Sequence, residues 1–248
     1  MRRRVTALAV LGIGAYAVFM VALLPARFVV ARIALPPGLA LREVDGTVWS
    51  GSAAASWSSG GSTLVLDTVQ WRWRPLALMS ARVAYDVEAH GKGIDARARV
   101  ARGITSSSVE GLELHADAAS VATTIPLASA WQPAGRVDLT APSLTWNGRE
   151  LAGRAQAQWS DAALAISSVR PLGTYVLRLD GAGGPAHLAL TTPQGALRLS
   201  GDGTLEGLQR IAFTGEARAE GPQASALMPV LDLFGPRRPD GSRALRFP

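Results

Sequence analysis

Three histidines, His90, His115 and His187, are the side chains of this 248-residue sequence best suited to move a proton or hold a metal ion. They lie far apart in the chain, and none has a second histidine three or four residues away that would present two ligands from one helix or strand. Each is expected as a polar residue on the wet face of a strand. Asp86 and Glu88 are two residues apart, which on a strand puts both carboxylates on the same side, the arrangement acid–base chemistry would use. Solvated surface charges have the same spacing, and that is the expectation here. Ser50-Gly51-Ser52 and the serines from Ser58 to Ser62 supply hydroxyls without a G-x-S-x-G elbow or ordered triad partners. The run Gly201-Asp202-Gly203-Thr204-Leu205-Glu206-Gly207 has the wrong glycine spacing for a dinucleotide loop, and no helix follows it, so a β-turn is expected. Trp71 and Trp73 share a strand face and are expected in packed core rather than as a binding platform. With no cysteine, thiolate catalysis, disulfides and sulfur-ligated zinc are excluded. The sequence therefore assigns no catalytic, cofactor-binding or metal-binding residue, and neither an enzyme nor a cofactor is expected.

The elements that would position these residues are mostly strands. Thr63-Leu64-Val65-Leu66 leads into a run from Thr68 to Arg74 with Val69, Trp71 and Trp73 on one side, and Pro75 stops it. The segment 82–88 alternates with Val83, Tyr85 and Val87 on the buried side. Further strands are expected over 94–101, 109–116, 135–139, 144–146 and 155–159. The most regular alternation lies over 175–179, 187–191, 196–200 and 212–217, between glycine turns. A spacing of ~8–12 residues is the rhythm of a long antiparallel sheet, sandwich or barrel. Helix is scarce: Ala224, Leu227, Met228 and Leu231 fall at helical spacing between Pro222 and Gly235-Pro236, and a second candidate over 120–130 is interrupted by Pro126.

The formal charge of +6 invites a nucleic-acid reading, but its distribution argues against one. Five basic residues lie at Arg2, Arg3, Arg4, Arg27 and Arg32, and four more at Arg237, Arg238, Arg243 and Arg246. Between Ile33 and Phe234 there are 16 basic and 18 acidic residues, a net of −2. No nucleic-acid partner is expected. From Val5 to Leu24 runs VTALAVLGIGAYAVFMVALL, twenty residues without a charge. As a helix this spans ~30 Å, the thickness of a bilayer core. Arg2 to Arg4 hold the preceding end in the cytoplasm and Pro25 ends the helix. The run exceeds the ~7–15 residues of a cleaved signal's apolar region, and the A-x-A at Ala15-Tyr16-Ala17 lies inside it, so an uncleaved signal anchor is expected.

The fold expectation is mainly β: one transmembrane helix followed by an extended, curved antiparallel sheet. Its parts are a cytoplasmic stub (1–4), the anchor (5–24), a juxtamembrane connection (25–45), a periplasmic antiparallel β domain (46–221) and a short helix with a C-terminal tail belonging to the same domain (222–248).

Several segments carry a resemblance. They are LPARFVVARIALPPGLALREVDGTVWSGSA (24–53), VQWRWRPLALMSARVAYDV (69–87), RPLGTYVLRLDGAGGPAHLALTTPQGALRLSGDGTLEG (170–207), FTGEARAE (213–220) and the C-terminal LMPVLDLFGPRRPDGSRALRF. In this order and spacing the chain resembles the protein N family of the bacterial type II secretion system. The region 102–131 shows little similarity. The resemblance implies a single-pass inner-membrane protein whose bulk lies in the periplasm. It also implies a non-catalytic accessory role in exporting folded proteins across the outer membrane. Its partners would be other inner-membrane and periplasmic secretion components and the inner membrane itself. The family is similar, more distantly, to the AsmA-like group of anchored β proteins, some of which handle lipid. That likeness implies the alternative, a groove-like sheet that binds or transfers lipid.

Overall fold

A computed structural model describes residues 12, 16, 19–32, 35–59, 62–124, 130–207, 210–232, 234 and 237–247. Most of the apolar run 5–24 lies outside the described residues. Of the described ones, 12, 16 and 19–22 are helical, and among the described residues no helix is long and apolar enough to cross a membrane.

The described residues fold as one curved, open antiparallel sheet of thirteen strands in sequence order. They are β1 (Leu39–Gly46), β2 (Ser50–Ser59), β3 (Ser62–Trp73), β4 (Val83–Gly91), β5 (Ile94–Arg102), β6 (Ser107–Asp117), β7 (Ala134–Trp146), β8 (Leu151–Ala163), β9 (Gly173–Gly184), β10 (Ala186–Gly195), β11 (Leu197–Glu206), β12 (Arg210–Ala219) and β13 (Arg243–Phe247). Each strand pairs only with its neighbours in sequence, so β1 and β13 form the two edges. The edge strands fall in stretches whose pattern did not announce a strand. Leu39-Ala40-Leu41 is followed by Arg42-Glu43 and a register shift before Asp45, so the alternation breaks. β13 is only five residues long.

Two expected pairs of strands are single strands. Thr63–Leu66 and Thr68–Arg74 merge into β3 across a register shift between Leu66 and Thr68. The segments 135–139 and 144–146 merge into β7, whose internal Pro142 sits in the shift between Thr140 and Ser143. Pro193 sits likewise in the shift of β10 between Thr191 and Gln194. Proline cannot donate to a ladder, and a bulge is where a strand tolerates it. Bulges bend a sheet and raise its twist, so these irregularities curve the sheet. The segment 201–206 is a correction to the expected β-turn. It belongs to β11, and the turn begins only at Gly207. The glycines are there for packing, since a Cβ on Gly201 or Gly203 would come within 2.6 or 2.9 Å of the Phe213 ring on β12.

The core is concentrated toward the C-terminal end. Tyr175, Leu197, Phe213, Ala217 and Leu245 of the sheet meet Leu164, Val169 and Leu172 of the β8–β9 connection and Leu227, Val230 and Leu231 of the β12–β13 connection. That last connection begins as a 3-10 turn (Ala224–Leu227) and continues as α-helix (Met228–Leu231). The tighter first turn rotates the buried face, so Val230 is buried and Met228 is exposed at 36%, against an even 3.6-residue stripe. Of the 120–130 helix candidate, the structure shows Ala118–Ala122, and 125–129 lie outside the described residues. The N-terminal strands have a thinner core built largely from alanines, among them Ala53, Ala55, Ala84, Ala116 and Ala141.

Candidate functional site

Residues opposite one another in an antiparallel ladder point to the same face, so the register reveals what each face carries. One face holds a continuous small or apolar row across twelve strands: Ala53, Val69, Ala89, Ala96, Leu114, Leu139, Ala157, Leu177, Leu190, Gly201, Gly215 and Leu245. Near β13 the row is covered by the core segments, and Leu245 is buried. Elsewhere it is only partly covered: Val69, Leu114 and Leu139 are half-buried and Leu177 is 38% exposed.

The opposite face is polar. A row runs through Gln70, Glu88, Arg97, Glu113, Thr140, Gln156 and Arg178, with Arg97 and Glu113 bonded at 2.5 Å. Beside it runs His90, Asp95, His115 and Asp138, residues that the sequence left unconnected. His90 Nδ1 lies 2.7 Å from Asp95 Oδ1, and His115 Nδ1 lies 2.6 Å from Asp138 Oδ1. His187 sits farther along the sheet, its Nε2 3.6 Å from Asp202. All three histidines are exposed strand residues. Each has a carboxylate partner on a neighbouring strand, and among the described residues no group of three or more such side chains could hold a metal ion. The missed signal was register: only strand pairing brings His90, Asp95 and His115 together.

Asp86 and Glu88 do share a face. Asp86 accepts from Arg74 Nη1 at 2.8 Å and from Arg99 Nε at 2.9 Å. Partial burial pushes its pKa up, but the two arginines more than offset this and hold the carboxyl below its ordinary value. A carboxylate clamped this way is a poor proton acceptor. Glu88 is exposed and lies opposite Arg97. Of the serines, Ser58 Oγ bonds Thr63 Oγ1 at 3.1 Å, and Ser50 caps the β1–β2 turn by donating its N–H to Thr47 Oγ1 at 3.2 Å. Tyr175, in the core, donates its hydroxyl to Leu197 O at 3.1 Å, and burial raises its pKa. Among the described residues none of these polar groups forms a nucleophile–base pair.

The tryptophans form a clamp rather than deep core. Gly46 turns the chain at φ 83° and Thr47 Oγ1 accepts from Trp49 N at 3.2 Å. Trp49 Nε1 then donates to Val21 O at 2.8 Å, and Val48 N donates to Leu24 O at 3.0 Å, so the turn grips the chain just before Pro25. The Trp49 ring lies 4.4 Å from that of Trp73, centroid to centroid, and Trp73 N donates to Trp49 O at 2.6 Å. Trp71 Nε1 donates to Thr47 O at 3.1 Å, and its indole covers Gly51, where a Cβ would lie 2.6 Å from Cζ2. Trp71 and Trp73 are both half-buried. The Gly-Thr-Val-Trp-Ser-Gly and Trp-Arg-Trp-Arg-Pro stretches thus make one junction between the segment before Pro25 and the first strands.

The alanine-rich face and the tryptophan side of the junction, with almost the whole sheet, lie within the span that matches a known family, Type II secretion system (T2SS), protein N, over residues 37–246. The chain belongs to the type II secretion system protein N family. It is similar to the Type II secretion system protein N of Pectobacterium carotovorum subsp. carotovorum, at 26% identity over 243 residues, covering 94% of this chain and 92% of the relative. No solved structure matches it. As a member of the protein N family the chain is a component of type II secretion.

Proposed function

We propose that this chain is a non-catalytic, inner-membrane-anchored component of the type II secretion system that supports export of folded proteins across the outer membrane. The match over 37–246 carries the proposal. Residues 1–4 are the cytoplasmic stub and 5–24 the anchor, with the connection running to β1 at Leu39 and the rest in the periplasm, where the sheet runs from Leu39 to Phe247 and the 224–231 segment closes it. The charge-free run 5–24 and the arginines before it support that orientation. Other secretion components are the partners, and the sheet offers two edge strands to which an extended segment could add. The test is deletion in the native host followed by assay of exoproteins in medium and periplasm. Accumulation of folded exoproteins in the periplasm, reversed by a plasmid copy, supports the role, and unimpaired export contradicts it.

A second reading, lipid binding along the sheet, rests on the partly covered apolar row from Val69 to Leu177. A photo-reactive residue at Leu139 in cells would crosslink to lipid under this reading, and to protein or nothing if the face serves secretion contacts alone.

A further inference from the structure

A meander sends alternate connections to opposite ends of the sheet, and the two ends differ. The end at which Trp49 and Val48 bond Val21 and Leu24 also carries the β3–β4, β5–β6, β7–β8 and β11–β12 connections. Its β3–β4 connection is a 3-10 turn, Pro75–Ser80, on which Leu76, Leu78 and Met79 are 75%, 53% and 88% exposed. In the β5–β6 turn Ile104 is 87% exposed. Large apolar side chains this bare on adjoining turns are a patch needing a cover, whereas single ones are ordinary. Among the described residues no neighbouring element shields them.

Charge follows the same division. Taking each connection with the last residue of the preceding strand, and the segment 25–32, this end holds six arginines (Arg27, Arg32, Arg74, Arg82, Arg102 and Arg149) against Glu150 and Glu206. The opposite end, counted the same way, holds Lys92, Arg170, Arg237 and Arg238 against four carboxylates. Exposed apolar tips among arginines, next to tryptophans at the exit of an apolar segment, match a bilayer interface, with acyl chains for the tips and phosphates for the guanidiniums.

We propose that the Pro75–Ser80 turn and the Ile104 turn dip into the outer leaflet beside the anchor, so that the sheet stands on the membrane on this end instead of swinging from a tether. The Trp49–Trp73 contact is the rigid link, joining Val21 to the strand that leads into Pro75. The inference rests on the anchor reading of residues 5–24.

The absence of native cysteine makes the test direct. Full-length chains carrying G12C, M79C, I104C or K92C, each labelled with an environment-sensitive fluorophore, are reconstituted into nanodiscs containing phosphatidylglycerol, with and without quencher-bearing lipids. Labels at 79 and 104 should be blue-shifted and quenched by lipid, and the label at 92, at the opposite end, should remain in water. Labels at 79 and 104 as wet as that at 92, with label 12 lipid-quenched, would overturn the proposal and leave the anchor standing. A wet label at 12 would overturn the anchor reading and this proposal with it. The double variant M79D/I104D should lose the lipid quenching of a label at 76 (L76C) while label 12 is unchanged. Retention of that quenching would contradict insertion of the turn.

Discussion

Gly51 shows how little room the tryptophan junction leaves. A methyl group there would overlap Asp45 O and sit 2.6 Å from the Trp71 ring, so Gly51→Ala should cost about 1–3 kcal/mol, measured by denaturant unfolding of the full chain in detergent. Tyr175→Phe should cost about 1 kcal/mol by removing the buried bond to Leu197 O without changing the packing. Asp86 gives a pH signature. Its folded pKa lies below its ordinary value, so its stabilisation is complete above the ordinary value of ~3.9 and is lost as pH falls through the folded value. Asp86→Asn should therefore be less stable than wild type at neutral pH, by under about 1 kcal/mol for so exposed a cluster, and the gap should close as pH drops below ~4. A gap that persists once the folded carboxyl is protonated would mean the side chain contributes through shape rather than charge. At this scale the sequence spoke clearly about what is missing. Histidine spacing, absent cysteine and absent triads pointed away from chemistry, and each histidine sits exposed on a strand, where the alternation put it. It could not say that His90, Asp95 and His115 line up, because pairing across a sheet depends on bulges and turn lengths that no local pattern records.

Among the elements, alternation located the central strands well because one face is apolar and the other wet, the condition under which period two is visible. It failed where the face is alanine and serine: β2, SGSAAASWSS, has little hydropathy contrast although Ala53 and Ala55 are buried. It failed at β13, where Arg243 is buried beneath its ion pair with Asp232, so a charged residue occupies an inward position. It split β3 and β7 because each bulge reverses the phase of the alternation. The element that closes the sheet is the 224–231 segment. Leu227 is fully buried there, and Leu227→Ala should cost about 2–5 kcal/mol. Loss of protection should spread to β11–β13 rather than to β1–β5, as hydrogen exchange on the variant would show.

For the whole molecule, strands that pair only with their sequence neighbours behave like a one-dimensional array, in which stability is largely a sum of local contacts. The leucine-rich core lies over β8–β13 and the alanine-rich face over β2–β7, so amide exchange of the wild-type chain should be slowest in the former. Uniform protection across thirteen strands would contradict this picture. An open array with a partly covered face and two edges offers contact along its length rather than at one point. We propose that the chain serves type II secretion without doing chemistry. The most direct test is the fraction of exoprotein reaching the medium in a deletion strain carrying either the wild-type gene or the triple variant H90A/H115A/H187A. Both alleles should restore export to the parental level. Export that needs neither allele, or that fails with a triple variant which is folded and membrane-bound, would contradict the account.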